Sequence, residues 1–199
     1  MTTSPKPYHH GDLRRQLIAV GEAVLAERGL AGLSLREVAR RVGVSHNAPF
    51  KHFASREALL AAMAEAGFED LGARLAAADA GPPEKYVVAR GLAYVGFALE
   101  RPTVFRLMFS GEIDMDRFPE LAQRAEWSLA AVGGRIADAF GSEAIADATL
   151  SAWAFVHGLS HLLLDGQIPP EMRAGRSDQD LAKAVVAAMA HGLGLPPTT

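Results

Sequence analysis

The sequence predicts an all-α protein, built from an N-terminal head of three helices and a C-terminal helical bundle. Apolar residues recur at helical spacing through most of the chain, and no segment alternates in the way a strand does. Glycine and proline fall between the apolar segments, where they end one helix and begin the next. At 199 residues the chain is long enough for two domains. We expect them to span residues 1–56 and 57–199, with a helix over 56–78 connecting them.

The head begins with a helix predicted over about 9–28. Apolar residues at positions 13, 17, 20 and 24 give this helix one buried face. Gly29 is expected to end it, because glycine readily adopts the left-handed backbone found at helix C-termini.

Two short helices joined by a tight turn are predicted over residues 34–53. Ser34 can cap the first, and Glu37 lies three residues on, which is the spacing of a capping box. Gly43 can end this helix, and Ser45 can cap a second helix of about two turns. This layout is a helix-turn-helix, whose second helix enters the major groove of DNA. A solvated helical hairpin without a partner is the structural alternative.

The run from Gly32 to Leu59 resembles the DNA-binding domain of the TetR (tetracycline-repressor-like) family of bacterial regulators. In that family a Thr or Ser opens helix two, followed by Ile-Ala or Val-Ala, Gly-Val-Ser, a Tyr or Phe, His-Phe and Ser-Lys-Glu-x-Leu. This sequence matches with Ser34, Val38-Ala39, Gly43-Val44-Ser45, Phe50, His52-Phe53 and Ser55-Arg56-Glu57-Ala58-Leu59. The match spans about thirty positions with fixed spacing.

The resemblance implies that the second helix and its flanks contact DNA. Asn47 and His46 are of the types that bond base edges, whereas Lys51 and His52 match the family's positions at the phosphate backbone. The residues expected at the DNA are Ser34, Arg36, Ser45, His46, Asn47, Ala48, Phe50, Lys51 and His52. Many family members have Tyr where this chain has Phe50, and a phenyl ring cannot donate a hydrogen bond to phosphate. Pro49 is also unusual within so short a helix.

The charge distribution agrees with a DNA-binding head on an acidic body. Residues 1–56 hold nine Lys or Arg against four Asp or Glu, and the remaining residues hold eleven against nineteen, which gives the net charge of −3. The chain has no cysteine, which excludes disulfides, thiol catalysis and thiolate metal sites. It also lacks an apolar run of eighteen residues and a secretory signal, so we expect a cytoplasmic protein without membrane association.

The body is predicted to contain helices over about 56–78, 83–100, 101–109, 119–140, 142–165 and 178 onwards. The segment 79–83 is the clearest linker, and 111–118 is an acid-rich loop. The helix over 142–165 is apolar almost all round, so it is either central or covered by another subunit. The segment 152–159 resembles the C-terminal domain of a TetR subgroup with a Trp…His-Gly signature, matched by Trp153, His157 and Gly158. In the TetR family the last two long helices form the dimer contact, which implies a homodimer here.

Aromatic and methionine side chains in the body could line a ligand cavity, because such cavities are mostly apolar. The body residues expected around a ligand are Phe97, Phe105, Met108, Phe109, Trp127, Trp153, His157 and His161. His157, His161 and Asp165 share one helical face at the spacing of metal ligands, although helical His pairs also serve as polar anchors in pockets and interfaces. We predict no metal and no cofactor. Motifs of nucleophilic, phosphate-binding or zinc-dependent catalysis are absent, so we expect no enzyme.

These observations predict a homodimeric DNA-binding transcriptional regulator. The resemblance implies a repressor that binds a roughly palindromic, double-stranded operator and is released by a small-molecule effector. Two alternatives remain at this point: an all-α metal-binding or catalytic protein that uses His157 and His161, and a dimerisation module that binds no specific DNA.

Overall fold

The computed structural model describes residues 10–78, 83–133 and 145–192, and every regular element within these ranges is helical. The predicted all-α class is therefore confirmed. The α-helices in these ranges are α1 (His10–Gly32), α2 (Leu35–Val42), α3 (Arg56–Ala77), α4 (Pro83–Glu100), α5 (Pro102–Met108), α6 (Pro119–Gly133), α7 (Ile145–Leu164), α8 (Pro170–Arg173) and α9 (Asp178–Gly192). Short 3-10 helices occur at Pro49–Lys51 and Met115–Arg117.

Helix α1 breaks at Gly29, as its glycine predicts. Gly29 has a φ of 64°, a left-handed value that side chains with a Cβ disfavour, and a single further turn leads to Gly32. Leu17 and Val24 of this helix are fully buried and belong to the main hydrophobic core. The break turns the chain so that α2 can pack against α1.

Helix α2 has the caps expected from its sequence. The Ser34 Oγ accepts a hydrogen bond from the Glu37 N–H at 3.2 Å, and the Gly43 N–H bonds the Ala39 carbonyl with Gly43 in the left-handed region. The capping box is incomplete, because the Glu37 carboxylate accepts hydrogen bonds from Arg40 and Arg41 instead of returning to the backbone of Ser34. The stronger charge-assisted bonds to the two guanidinium groups account for this difference.

The second helix of the motif is shorter and tighter than predicted. In place of two α-helical turns beginning at Ser45, the chain forms a turn and then the 3-10 helix Pro49–Lys51. The Ala48 N–H bonds the Ser45 carbonyl at 2.9 Å, three residues back, and Pro49 has no N–H with which to continue an α-helical ladder. The Pro49 ring is buried, so this proline both sets the tighter turn and anchors it to the core.

Helix α3 belongs to both the head and the body. Its N-cap is Ser55, whose Oγ accepts a hydrogen bond from the Ala58 N–H at 3.1 Å. In its first half, Leu59 and Met63 are fully buried and pack against Gly21 of α1, where an added Cβ would lie 3.1 Å from the Met63 sulfur. Its second half packs against α4, α5 and α6. Leu60, Met63, Gly67, Leu71 and Leu75 are buried along one face of this helix.

The body is held together by close helix packing around α4. Gly91 of α4 lies so near α9 that an added Cβ would lie 2.7 Å from the Cγ1 of Val186. On α9, Leu181, Val186 and Ala190 are buried, whereas Ala188 and Gly192 are exposed. The helix predicted over 119–140 begins as expected at Pro119, and the part beyond 133 lies outside the described residues.

Candidate nucleic-acid interface and body cavity

Most of the residues expected to contact DNA are exposed, and together they make up the tip of the head: Ser34, Arg36 and members of the segment 45–52. The exposed members are Ser34, Arg36, Ser45, His46, Asn47, Phe50 and Lys51, while Ala48 and His52 are partly buried. Ser34 uses its oxygen as a cap, which leaves its O–H free to donate to a phosphate. Phe50 is 51% exposed although it is aromatic, as a ring that meets a partner would be.

The arginines of α2 separate into two groups. The Glu37 carboxylate bonds Arg40 at 2.8 Å and Arg41 at 2.9 Å, and Arg41 also bonds Glu27 of α1 at 2.6 Å. The hydrogen bond from Arg40, followed by that from Arg41, lowers the pKa of Glu37 to about 2. Arg36 is exposed and forms no ion pair within the part of the chain that is described. Arg36 is therefore the arginine of this helix that is open to a phosphate.

The body contains a cavity of about 300 Å³ between α3, α4, α5, α6 and α7. Three of the residues predicted for a ligand site lie on its wall: Met108, Phe109 and Trp153. Sequence reasoning missed Tyr94, which is fully buried on α4 and also lines the cavity. A tyrosine on the apolar face of a helix was the available signal, because its hydroxyl needs a partner when it is buried.

The other predicted ligand residues lie outside this wall. Phe97 and Phe105 are completely buried in the core, and the Trp127 ring lies over Gly72 on α3, where a Cβ would overlap it. His157 and His161 pack against Phe105, with ring centroids 5.4 and 5.5 Å from its own. Phe97 and Phe105 therefore lie deeper than the cavity wall, whereas Trp127 is exposed and both histidines are partly buried.

His157 is connected to the cavity through Tyr94. The Tyr94 hydroxyl lies 3.0 Å from the Nδ1 of His157, and the Trp153 Nε1 donates to the same hydroxyl at 3.2 Å. Burial, with a smaller contribution from His161, lowers the pKa of His157, and burial raises the pKa of Tyr94. Both groups are therefore neutral near pH 7.

The lowered pKa of His157 predicts a loss of stability in acid. The unfolded chain takes up this proton first, so the contribution is fully present above the ordinary pKa of 6.5 and is lost as the pH falls below it. Between pH 7.5 and pH 5.5, the native protein should lose more of its free energy of unfolding in urea than a His157→Gln variant. His191→Gln, at an exposed position on α9, should behave like the native protein. An equal loss in native protein and His157→Gln would contradict this assignment.

The described residues contain no group of three or more His, Cys, Asp or Glu side chains placed to hold a metal ion. His161 faces Asp165 at 3.9 Å, and Asp165 is bound at 2.6 Å by Arg106. The i, i+4 histidine pair therefore forms part of a network of rings and ion pairs. No helix in the described part of the chain combines the length and the apolar character that crossing a bilayer requires.

The fold and the exposed basic tip define a helix-turn-helix regulator with a helical body that encloses a cavity. Residues 17–63 match the family model of bacterial regulatory proteins, tetR family, and residues 87–189 match that of the tetracyclin repressor-like C-terminal domain. The second match alone covers more than half of the chain. The protein belongs to the TetR family of bacterial regulatory proteins.

Individual relatives agree with this assignment. A structure of a protein of unknown function from Rhodococcus sp. RHA1 is 34% identical, with a TM-score of 0.79, over 94% of this chain and 98% of that one. A bacterial regulatory protein in the tetR family from Rhodococcus RHA1 has the same fold at 18% identity, with a TM-score of 0.71 over 92% and 97% of the two chains. The HTH-type transcriptional regulator Rv1816 of Mycobacterium tuberculosis is 25% identical over 107 residues, which cover 51% of this chain and 45% of the relative. The aligned region thus spans about half the length of that curated relative.

Proposed function

We propose that the protein is a homodimeric repressor whose two heads bind a palindromic operator and whose body binds a small molecule that releases it. The head corresponds to residues 1–56 and the body to 57–199, with α3 connecting them. The protein acts by binding rather than by catalysis, and it acts in the cytoplasm. The observation that carries the proposal is that α3 packs against α1 in its first half and lines the body cavity with Phe68 and Leu71 further along.

Each head contributes one exposed surface of modest size. The 3-10 helix Pro49–Lys51 presents Phe50 and Lys51, and the preceding turn presents His46 and Asn47. A single such surface reads only a few base pairs, whereas a dimer reads two half-sites separated by about one helical turn of DNA. The proposed order of contacts is Asn47 and His46 at base edges, with Lys51, Ser34 and Arg36 at phosphates.

An exposed apolar face supports the dimer. Leu150 and Leu162 of α7 are 58% and 43% exposed, and Met172 of α8 is 65% exposed. Ala154 and Gly158 lie on the same side of α7 and are also exposed, which allows a second helix to approach closely. A face of this composition is covered by a second copy of the chain in the proposed assembly.

An arginine at the centre of this face should weaken the dimer. We expect Ala154→Arg to raise the dimer dissociation constant about 30-fold, because a two-fold interface brings the two new charges together. Sedimentation velocity over a range of concentrations measures it. Ala130→Arg places the same side chain at an exposed position of α6 and should leave the dimer intact. If Ala154→Arg dimerises as tightly as native protein, α7 does not form the interface.

A ligand in the cavity is well placed to move the heads. Arg101, which precedes α5, bonds Glu22 of α1 at 2.7 Å and Asp70 of α3 at 2.9 Å. Arg117, the last residue of the 3-10 helix Met115–Arg117, bonds Glu57 in the first turn of α3 at 2.5 Å. Helices α3 and α5 both line the cavity, so a ligand that separates them would change the position of α1 through these contacts. The ligand would then favour a dimer with wrongly spaced heads, which lowers DNA affinity by differential binding to two states.

Selection of bound duplexes from a random DNA pool, with the full-length protein, tests the proposal. Enrichment of a sequence with two inverted half-sites is the expected outcome. Equal affinity for the selected sequence and for random DNA at one salt concentration would favour a dimerisation module without specific DNA binding. Binding of a monomer to a single half-site would contradict the proposed homodimer with two DNA-binding heads.

A further inference from the structure

Four aromatic side chains line the cavity in the body. Phe68, Phe109 and Trp153 line it together with Tyr94, and most of the remaining wall is aliphatic. Aromatic faces carry negative electrostatic potential and attract cations that lose their water. The wall therefore offers apolar contact together with a field that favours positive charge.

The Tyr94 hydroxyl, one of two buried hydroxyls on the wall, lies between Trp153 and His157. Indole N–H groups only donate, so the Tyr94 oxygen accepts from the Trp153 Nε1 at 3.2 Å. His157 is neutral because burial lowers its pKa, and its Nδ1 lies 3.0 Å from the Tyr94 hydroxyl. In the tautomer with the imidazole proton on Nε2, Nδ1 accepts the Tyr94 proton. The Tyr94 oxygen keeps one lone pair, so its remaining capacity is to accept a hydrogen bond.

The other polar side chains of the wall are also acceptors. Ser128 donates its proton to the Ala125 carbonyl at 3.0 Å, which leaves its lone pairs free. Glu126 places an exposed carboxylate at the cavity edge. The lining residues within the described chain include no Lys, Arg or His. A buried arginine, Arg90, lines a smaller cavity of about 30 Å³ that shares Tyr94 and Val132 with the first.

We propose that this cavity selects an apolar molecule that carries a protonated amine, with Glu126 as the anionic partner of the ammonium group. The inference deepens the proposed function, because it names the chemical class of the effector. The aromatic side chains hold the apolar part, and Tyr94 and Ser128 can accept further hydrogen bonds from the amine. An anionic ligand would meet the Glu126 carboxylate and the ring faces, with no Lys, Arg or His among the lining residues of the described chain.

Three probes with the same phenyl-alkyl body test the charge preference: 4-phenylbutylamine, 4-phenylbutanol and 4-phenylbutyrate. Calorimetry with the native full-length protein gives the affinities. The sequence contains two tryptophans, so a Trp127→Phe variant leaves Trp153 as a fluorescent reporter on the cavity wall. We expect the amine to bind about tenfold more tightly than the alcohol, and the carboxylate to bind most weakly.

Replacement of the carboxylate tests the role of Glu126. Glu126→Gln should bring the affinities of amine and alcohol to within about twofold, because the amide keeps the size and removes the charge. Glu120→Gln removes a carboxylate from an exposed position of the same helix that is not on the wall, and the tenfold preference should persist. An unchanged preference in Glu126→Gln would overturn the assignment of Glu126.

The outcomes also separate this inference from the proposed function. Tighter binding of 4-phenylbutyrate than of the amine, or no binding of the amine, would overturn the inference and leave effector release by another ligand class open. Binding of the amine at the Trp153 reporter without any effect on the affinity for the selected operator would support the ligand class and contradict release by that ligand.

Discussion

Lys51→Glu is expected to lower the affinity for double-stranded DNA about 100-fold, whatever the base sequence. Lys51 is exposed on the 3-10 helix Pro49–Lys51, beside the turn that carries Asn47. A dimer that binds with both heads would lose two phosphate contacts and gain two negative charges close to the backbone. The slope of the logarithm of affinity against that of salt concentration should become shallower by about 2, one for each lost contact. Fluorescence anisotropy at several salt concentrations measures both effects.

A charge reversal elsewhere on the surface is the matched control. Lys85→Glu changes the net charge by the same amount at an exposed position of α4. It should alter DNA affinity less than about threefold, because charges separated by more than the Debye length of about 10 Å are screened. If both variants lose affinity equally, the effect comes from overall charge, and Lys51 is not at the phosphate.

Phe105→Ala is expected to destabilise the protein by about 3–5 kcal/mol. Phe105 is completely buried, and its ring contacts those of Tyr94, Phe97, Phe109, His157 and His161 at centroid distances of 5.2–6.5 Å. Removing the ring leaves a cavity that so many surrounding side chains cannot fill without moving. In a chain of this size the melting temperature should fall by about 10 °C. Thermal and urea unfolding at one protein concentration measure the loss.

A Phe→Ala substitution at an exposed position is the control, because it removes the same side chain without removing buried contacts. Phe50 is 51% exposed, so Phe50→Ala should change the free energy of unfolding by less than about 0.5 kcal/mol. If the Phe50 ring contacts DNA, Phe50→Ala should lower DNA affinity although it hardly changes stability. This affinity is measured under conditions where the protein stays folded. A stability loss at position 50 as large as that at position 105 would contradict the packing argument.

Local signals predicted the head with few errors. Ser34 and Ser55 cap the helices that they precede, and Gly43 ends α2 in the left-handed conformation. Each of these features depends on residues within four positions along the chain, which is the range over which sequence patterns are informative. The wrong prediction of a two-turn α-helix after Ser45 also has a local cause. Pro49 lacks an N–H, and this shortens the α-helical hydrogen-bond ladder whatever surrounds it.

The residues that line the cavity could not be predicted from their spacing in the sequence, because contacts between distant helices place them there. Tyr94 and His157 are far apart in the chain and share a hydrogen bond because α4 packs against α7. Trp127 was an equally good candidate by residue type, yet its ring lies over Gly72 and outside the wall. Which aromatic side chains face a cavity and which support it is decided by the rotation of each helix against its neighbours.

The sequence by itself determined the all-α class, the helix-turn-helix with its caps, the family and the basic residues that are proposed to contact DNA. These follow from hydrophobic periodicity, capping chemistry and charge, all of which act over short stretches of chain. Only the tertiary structure decided that Arg36 is open while Arg40 and Arg41 are bound, that α9 turns Val186 towards Gly91, and that Tyr94 joins the cavity to His157. The physical reason is that side chains distant in sequence compete for the same partners and the same space, and packing settles that competition.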